Sequence, residues 1–384
     1  MKAGDALVLS RDPTVAGRRA AAAARASLGD ELPSFGVLFA SEHFLGSAEA
    51  LMAAVTAEAG SFPLIGCVAE GVVGGAREVE SEPAVSLWLA AGLGPVETFA
   101  MKFLRTRSGG AVAGYRFEPG RTGVHLLICD PSFPADDLLA HLNQNVAGTV
   151  VMGGLAGGGM LRESRLFLDG EVLSGGAVGA YLPAAGVRTL VSQGCRPVGD
   201  PFTVTRAEGN LVQELGGQPP LVRLRELAAA LPAHDRDLLA QGLHVGVAIN
   251  EYRSERQQGD FLIRGFVGAD PESGAIAVGD AVEVGQTLQF HIRDAASADE
   301  DLRRALQQEA TELGGRKAAG ALLFTCNGRG SRLFSEPSHD AGLLAEKLGD
   351  VPVAGFFCAG ELGPVGGQNY LHGFTASIAL FPSG

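Results

Sequence analysis

Leu322-Leu323-Phe324-Thr325-Cys326-Asn327-Gly328-Arg329-Gly330 and Ala354-Gly355-Phe356-Phe357-Cys358-Ala359-Gly360-Glu361-Leu362-Gly363 share one design. Each is an apolar run of strand length that stops at a cysteine and turns at once into a glycine-rich loop carrying polar groups. Ends of buried strands are rigid, and the loops leaving them offer backbone N–H groups and a few aimed side chains to small molecules. In Asn327-Gly328-Arg329-Gly330 the alternate glycines let successive N–H groups converge beside a guanidinium, which suits a carboxylate or phosphate. The competing reading is a tight strand-to-helix turn with Arg329 in solvent.

Around these runs, the same order of elements is found in three places. Gly36 to Ala40 leads through a helix-like Ser47 to Ala59 into Pro63 to Gly71, then returns along Ala84 to Ala90. A second copy runs from Val124 to Cys129, through a helical stretch near Asp136 to Asn145, into Val150 to Gly159 and back along Ala177 to Leu182. The third spans Ala321 to Phe381. The closest match between copies is Cys67-Val68-Ala69-Glu70-Gly71 with Cys358-Ala359-Gly360-Glu361-Leu362-Gly363. Between copies two and three, short β-rich runs at 189–204, 244–250, 261–267, 276–278 and 287–292 are punctuated by turn residues and read as an antiparallel meander. Ser297 reads as the N-cap of a helix with Asp299, Glu300 and Asp301 in its first turn. Arg11 to Leu28 reads as a first helix packing an alanine face, although its Ala/Arg richness is superficially like a transit peptide. The fold class is therefore α/β of mixed α+β character: layered sheets flanked by helices, built from repeated strand-helix-strand-strand units, with a meander in the C-terminal half.

Composition narrows the partners. A formal net charge of −13 disfavours nucleic acid, because phosphate-backbone binding needs a basic surface. No apolar run reaches the ~20 residues of a membrane span. The cysteines Cys67, Cys129, Cys195, Cys326 and Cys358 show no zinc spacing, and the N-terminus shows no secretory segment, so free thiols in a reducing cytoplasm are expected. No P-loop, no dinucleotide fingerprint and no metal-ligand spacing is present, so neither cofactor nor metal is expected.

Candidate binding residues gather around the third copy. His339 and Asp340 follow Ser338, where Asp340 or Ser338 caps a helix or, in the sharper reading, His339 and Asp340 face the Cys326 loop. His372 starts the final strand and is a candidate rim residue. Cys326 and Cys358 either line the walls or, with His339 or His372, make a cysteine-dependent hydrolase or transferase.

The string from Cys326 to Phe381, supported by Ser192 to Asn210 and Gly259 to Asp280, resembles the FIST family, a sensory domain of signal-transduction proteins. The resemblance divides the chain into a helical lead-in (1–29), a FIST N-like α/β domain (30–215) and a FIST C-like α/β domain (220–384), with the boundary near Gly216 to Pro220. It implies binding of a small ligand, an amino acid or related metabolite. No kinase, cyclase, chemoreceptor or F-box segment is attached, so a signal would pass to a separate partner protein. No catalytic residues follow from the resemblance. The ligand site read from the residues comprises Cys326, Asn327, Arg329, His339, Asp340, Cys358, Glu361 and His372. A ligand carboxylate would meet Arg329, its ammonium Glu361 or Asp340, and Asn327 would set orientation. An Arg329→Ala protein is then expected to stay folded while losing stabilisation by ligand.

Overall fold

The computed structural model describes residues 1–106, 109–157, 164–183, 186–253, 256 and 258–383. Gly158 and Gly159 of the second glycine loop lie outside these residues. The chain forms two compact units, the first comprising residues 1–191, 302–371 and 375–384, the second residues 192–301 and 372–374.

The first unit contains all three copies, and each forms the expected elements. In the first, strand Phe35–Ser41 passes through helix Ala48–Ala59 to strand Leu64–Ala69, and Ala84–Ala91 returns antiparallel to the opening strand. In the second, Gly123–Cys129, helix Ala135–Asn145, Val150–Leu155 and Ala177–Pro183 repeat the arrangement. The third does so with Ala318–Cys326, helix His339–Leu348, Val353–Cys358 and Thr375–Pro382. Strand pairs joined through a helix are parallel, as a crossover connection requires.

What the repeat pattern did not disclose is that every copy lends a hairpin to another. Val72–Gly74 and Arg77–Val79, from the first copy, extend the sheet of the third by pairing with Val353–Cys358. Leu166–Leu168 and Glu171–Leu173, from the second, pair onto Leu64–Ala69 of the first. Glu361–Val365 and Gln368–His372, from the third, extend the second copy's sheet through Val150–Leu155. Three sheets are thus linked in a cycle, and one apolar core collects Phe39, Leu126, Ile128, Met152, Phe324 and Phe356 from all of them. The rings of Phe39 and Phe356 lie 5.0 Å apart by centroid.

One glycine per copy sets how close the parallel strands come. Gly66, Gly153 and Gly355 stand opposite Leu38, Leu127 and Leu323, and a Cβ on any of them would lie 1.8–1.9 Å from that leucine's carbonyl oxygen. This shared register places Cys358 opposite Ala69 in the repeat alignment. The Cys67/Cys358 match therefore runs two residues out of structural register, a slip that keeps side chains on the same face and so preserves the pattern.

The segment 1–29 begins with a strand, Lys2–Leu9, paired antiparallel with Ala84–Ala91, before helix Pro13–Leu28. Its small alternating residues bury one face against the first copy's sheet. Helix Pro13–Leu28 packs an alanine face, with Ala16, Ala20, Ala21 and Ala24 fully buried. Among the described residues no helix is long and apolar enough to cross a membrane.

In the second unit the meander closes. Cys195–Glu208, Leu211–Leu215, Ile276–Val278, Phe261–Ala269, Leu243–Ala248 and Thr287–Arg293 form a closed barrel in that order. Its interior is filled by Val204, Val212, Val245, Ile276, Leu288 and Phe290, as small barrels are, and so makes no channel. The helix after it, Ala295–Glu312, is capped by Asp294 and not by Ser297. Asp294 accepts from the N–H groups of Ala296 and Ser297 and from the Ser297 hydroxyl, so the aspartate just before the helix takes the role.

Candidate functional site

Cys326 and Cys358 end adjacent parallel strands and are register partners. Binding sites in α/β sheets form at the carboxyl ends of such strands. After Cys326 the chain turns sharply: Arg329 N donates to Cys326 O at 2.8 Å, and Asn327 N donates to Cys358 O at 2.8 Å. Gly330, at φ +54°, completes the turn where a Cβ would strike the Glu80 carboxylate at 2.7 Å. Glu80 instead accepts from Ser331 N and Oγ.

The turn drives Arg329 inward, and the reading that left it in solvent is overturned. Arg329 is fully buried and makes a two-pronged ion pair with Asp340, Nε to Oδ2 at 2.7 Å and Nη2 to Oδ1 at 2.8 Å. Thr325 Oγ1 donates to Asp340 Oδ2 at 2.7 Å, and His339 Nδ1 lies 2.9 Å from Oδ1. His339 stacks on Phe334, whose ring also sits under the guanidinium. Burial alone would raise the Asp340 pKa, but the Arg329 charge and these hydrogen bonds overcome it and hold the carboxyl well below its usual range.

Asp340 is therefore not the helix cap. Ser338 sits at the N-cap in a left-handed conformation, makes no cap bond, and accepts from Glu78 N. Glu78 caps the helix by accepting from Ala341 N at 2.9 Å. It comes from the lent hairpin of the first copy, which is flanked by Glu70 and Glu80, and Glu70 pairs with Arg332. No local motif marks Glu78 or Glu80. Glu70 does stand in the repeated Cys-Val-Ala-Glu-Gly stretch, which was its one signal. Burial and the Asp340 charge push the Glu78 pKa up, opposed by the Ala341 N–H and Arg329.

Glu361 is fully buried at the start of the other lent hairpin, and Thr375 donates to its Oε2 from N at 3.1 Å and Oγ1 at 2.8 Å. Burial pushes its pKa up to about 8, against the pull of Thr375, Cys326 and Arg329. At neutral pH the side chain is largely the neutral acid. Its Oε1 is buried without a hydrogen-bond partner. Arg329 Nη1 and Asn327 Oδ1 are likewise buried without a hydrogen-bond partner, while Asn327 Nδ2 donates to Gly157 O at 2.7 Å. Seven candidate residues thus sit in the first unit: Cys326, Asn327, Arg329, His339, Asp340, Cys358 and Glu361. His372 is buried and falls in the second unit.

The thiolate reading loses support at Cys358. Its thiol is fully buried, donates to Phe356 O, and is pushed well up by burial and Glu361, opposite to what a nucleophile needs. Among the described residues, no group of three or more His, Cys, Asp or Glu is placed to hold a metal.

The Glu361 shift carries a pH prediction. The folded state keeps a proton that the unfolded chain has released, so stability falls as pH rises from the ordinary carboxylate range through about 8. The slope from one such proton reaches at most about 1.4 kcal/mol per pH unit. Urea unfolding of wild type and Glu361→Gln at pH 5 to 8.5 should give curves that diverge, the variant losing less. Parallel curves would show that the carboxyl is already ionised.

The chain matches the FIST N domain over residues 34–218 and the FIST C domain over residues 223–364. An uncharacterized protein of Mycobacterium tuberculosis is 50% identical over 383 residues, covering 99% of this chain and 100% of the relative. One from Mycobacterium bovis is 48% identical over 383 residues, covering 99% of each chain. FIST domains are associated with sensory and signal-transduction binding of small ligands. With both domains matched across most of its length and its polar residues gathered at the strand ends of the third copy, this chain belongs to the FIST family.

Proposed function

We propose that this protein is a cytoplasmic sensor of an amino acid or related metabolite, and that it signals to a separate partner protein. The observation carrying this reading is a set of buried polar atoms in and beside the cluster that have no hydrogen-bond partner: the donor Arg329 Nη1 and the oxygens Asn327 Oδ1, Glu361 Oε1 and Glu78 Oε2. Each buried polar atom without a partner costs about 1–3 kcal/mol, and a ligand that supplies partners recovers that energy on binding. A zwitterion suits two of them, Arg329 Nη1 and Glu361. Its carboxylate takes Nη1, which the pairing with Asp340 leaves over, and its ammonium takes Glu361, losing that residue's proton in the process. Asp340 is already neutralised by Arg329 and drops out as an ammonium partner. Asn327, held by Gly157, fixes the ligand's orientation, and the two cysteines form the apolar side.

The test is a thermal-shift panel of the free amino acids and their 2-oxo acids. A ligand at a hundred times its Kd stabilises the fold by about 2.7 kcal/mol, and the melting temperature then climbs with concentration. Silence across the whole panel would rule out this ligand class.

A further inference from the structure

We propose that the first unit carries a second ligand site, independent of the Arg329 cluster, that takes a small monocarboxylate with an aromatic or branched aliphatic body. A cavity of ≈ 670 Å³ lies between helix Ala135–Asn145, the hairpin formed by Glu97–Thr106 with Gly109–Ala113, and the segment Tyr115 to Pro119. That volume falls in the range of about 300–1,000 Å³ typical of metabolite sites. Its floor is apolar: Leu138, Leu142 and Val146, spaced along one helix face, meet the buried Met101 and Phe117.

The walls are aromatic and one is rigid. Tyr115 stacks on Phe99 with centroids 3.7 Å apart, and its hydroxyl accepts from Arg121 Nη1 at 3.0 Å. Phe103, on the hairpin, leaves 37% of its surface open although it borders the cavity. An exposed aromatic beside an apolar floor is what a flat or branched hydrocarbon body would cover.

Charge selects the other end of the ligand. In a chain of net charge −13, residues 101–121 carry Lys102, Arg105, Arg107, Arg116 and Arg121 against the single acid Glu118. Of these, Arg116 borders the cavity, is exposed, and supplies a planar fork for a carboxylate. Asp137, also on the rim, repels a second negative charge and so favours a monoanion over a dianion.

The probe for the test is 8-anilinonaphthalene-1-sulfonate, an aromatic monoanion that brightens in apolar surroundings, displaced by phenylpyruvate, by the uncharged 2-phenylethanol and by the dianion phenylsuccinate. Saturable probe fluorescence is expected, with phenylpyruvate displacing it at least tenfold better than either control. Arg116→Glu, at an exposed position, should melt like wild type and lose at least tenfold in affinity for phenylpyruvate. Val112→Trp, which fills the cavity, should abolish saturable probe binding, while Glu361→Gln should leave it unchanged. Non-saturable binding by wild type, equal displacement by 2-phenylethanol, or undiminished affinity in Arg116→Glu would overturn the proposal. A panel hit lost in Glu361→Gln belongs to the Arg329 cluster, and one lost in Arg116→Glu belongs here, so the two readings fail separately.

Discussion

Replacing Arg329 by alanine is expected to destabilise the protein by about 3–5 kcal/mol, the cost of stranding a buried carboxylate whose partner is gone. The pair is 0% and 1% exposed, so water cannot take the guanidinium's place at Asp340. Thr325 and His339 would remain as its hydrogen-bond partners, but neither replaces the guanidinium's two-pronged contact and permanent charge. Burial would then raise the Asp340 pKa in the variant, so the defect should shrink in acid, where the carboxyl can be protonated, and be largest at neutral pH and above. Replacing both members by apolar residues, Arg329→Met with Asp340→Leu, should recover much of the loss, because it removes both desolvation penalties together. Urea unfolding at pH 5 and pH 8 separates the cases. A loss below about 1 kcal/mol that does not vary with pH is the behaviour of an exposed pair and would contradict the burial seen here. This outcome revises the simpler expectation of a folded variant lacking only its ligand response, since the same side chain both holds the fold and offers the leftover Nη1.

The second large effect is at Gly355. A Cβ there would sit 1.8 Å from Leu323 O, and neither atom can step aside, because both belong to paired backbones inside one sheet. Gly355→Ala should therefore part the two strands whose ends carry Cys326 and Cys358. We expect a loss of about 3 kcal/mol or more, or no folded protein. Gly66→Ala, facing Leu38 O at 1.8 Å, should do the same in the first copy. The control is Gly342, in the helix His339–Leu348, whose Cβ would meet nothing within 4 Å. Gly342→Ala should stabilise by up to about 1 kcal/mol through helix propensity alone. If Gly355→Ala and Gly342→Ala melt alike, the close approach of the parallel strands is wrong.

These cases show which parts of the protein could be read from residues alone. The mixed α/β class and the three strand-helix-strand-strand copies were legible because apolar runs and glycine loops are local signals. The strand ends at Cys326 and Cys358 were legible for the same reason. Closure of the meander into a barrel was not, since the pairing of Cys195–Glu208 with Thr287–Arg293 spans the whole segment and leaves no local trace. The exchange of hairpins was hidden in the same way: Glu78 reaches Ala341 across 263 positions. Arg329 and Asp340 were both picked out as polar groups at a loop and a helix start. That they would satisfy each other, and leave only Nη1 for anything else, depends on the inward turn at Gly330 and on Glu78 taking over the cap.

Whether the buried cluster binds a zwitterion is decided by the ligand panel at pH 7 on wild type and Glu361→Gln side by side. The variant is nearly isosteric with the neutral acid that Glu361 mostly is, so it should fold normally, yet it offers an ammonium no negative charge. At least one zwitterionic amino acid should raise the wild-type melting temperature in proportion to the logarithm of its concentration and fail to do so in the variant. An equal shift in both proteins, or none in either, would contradict it.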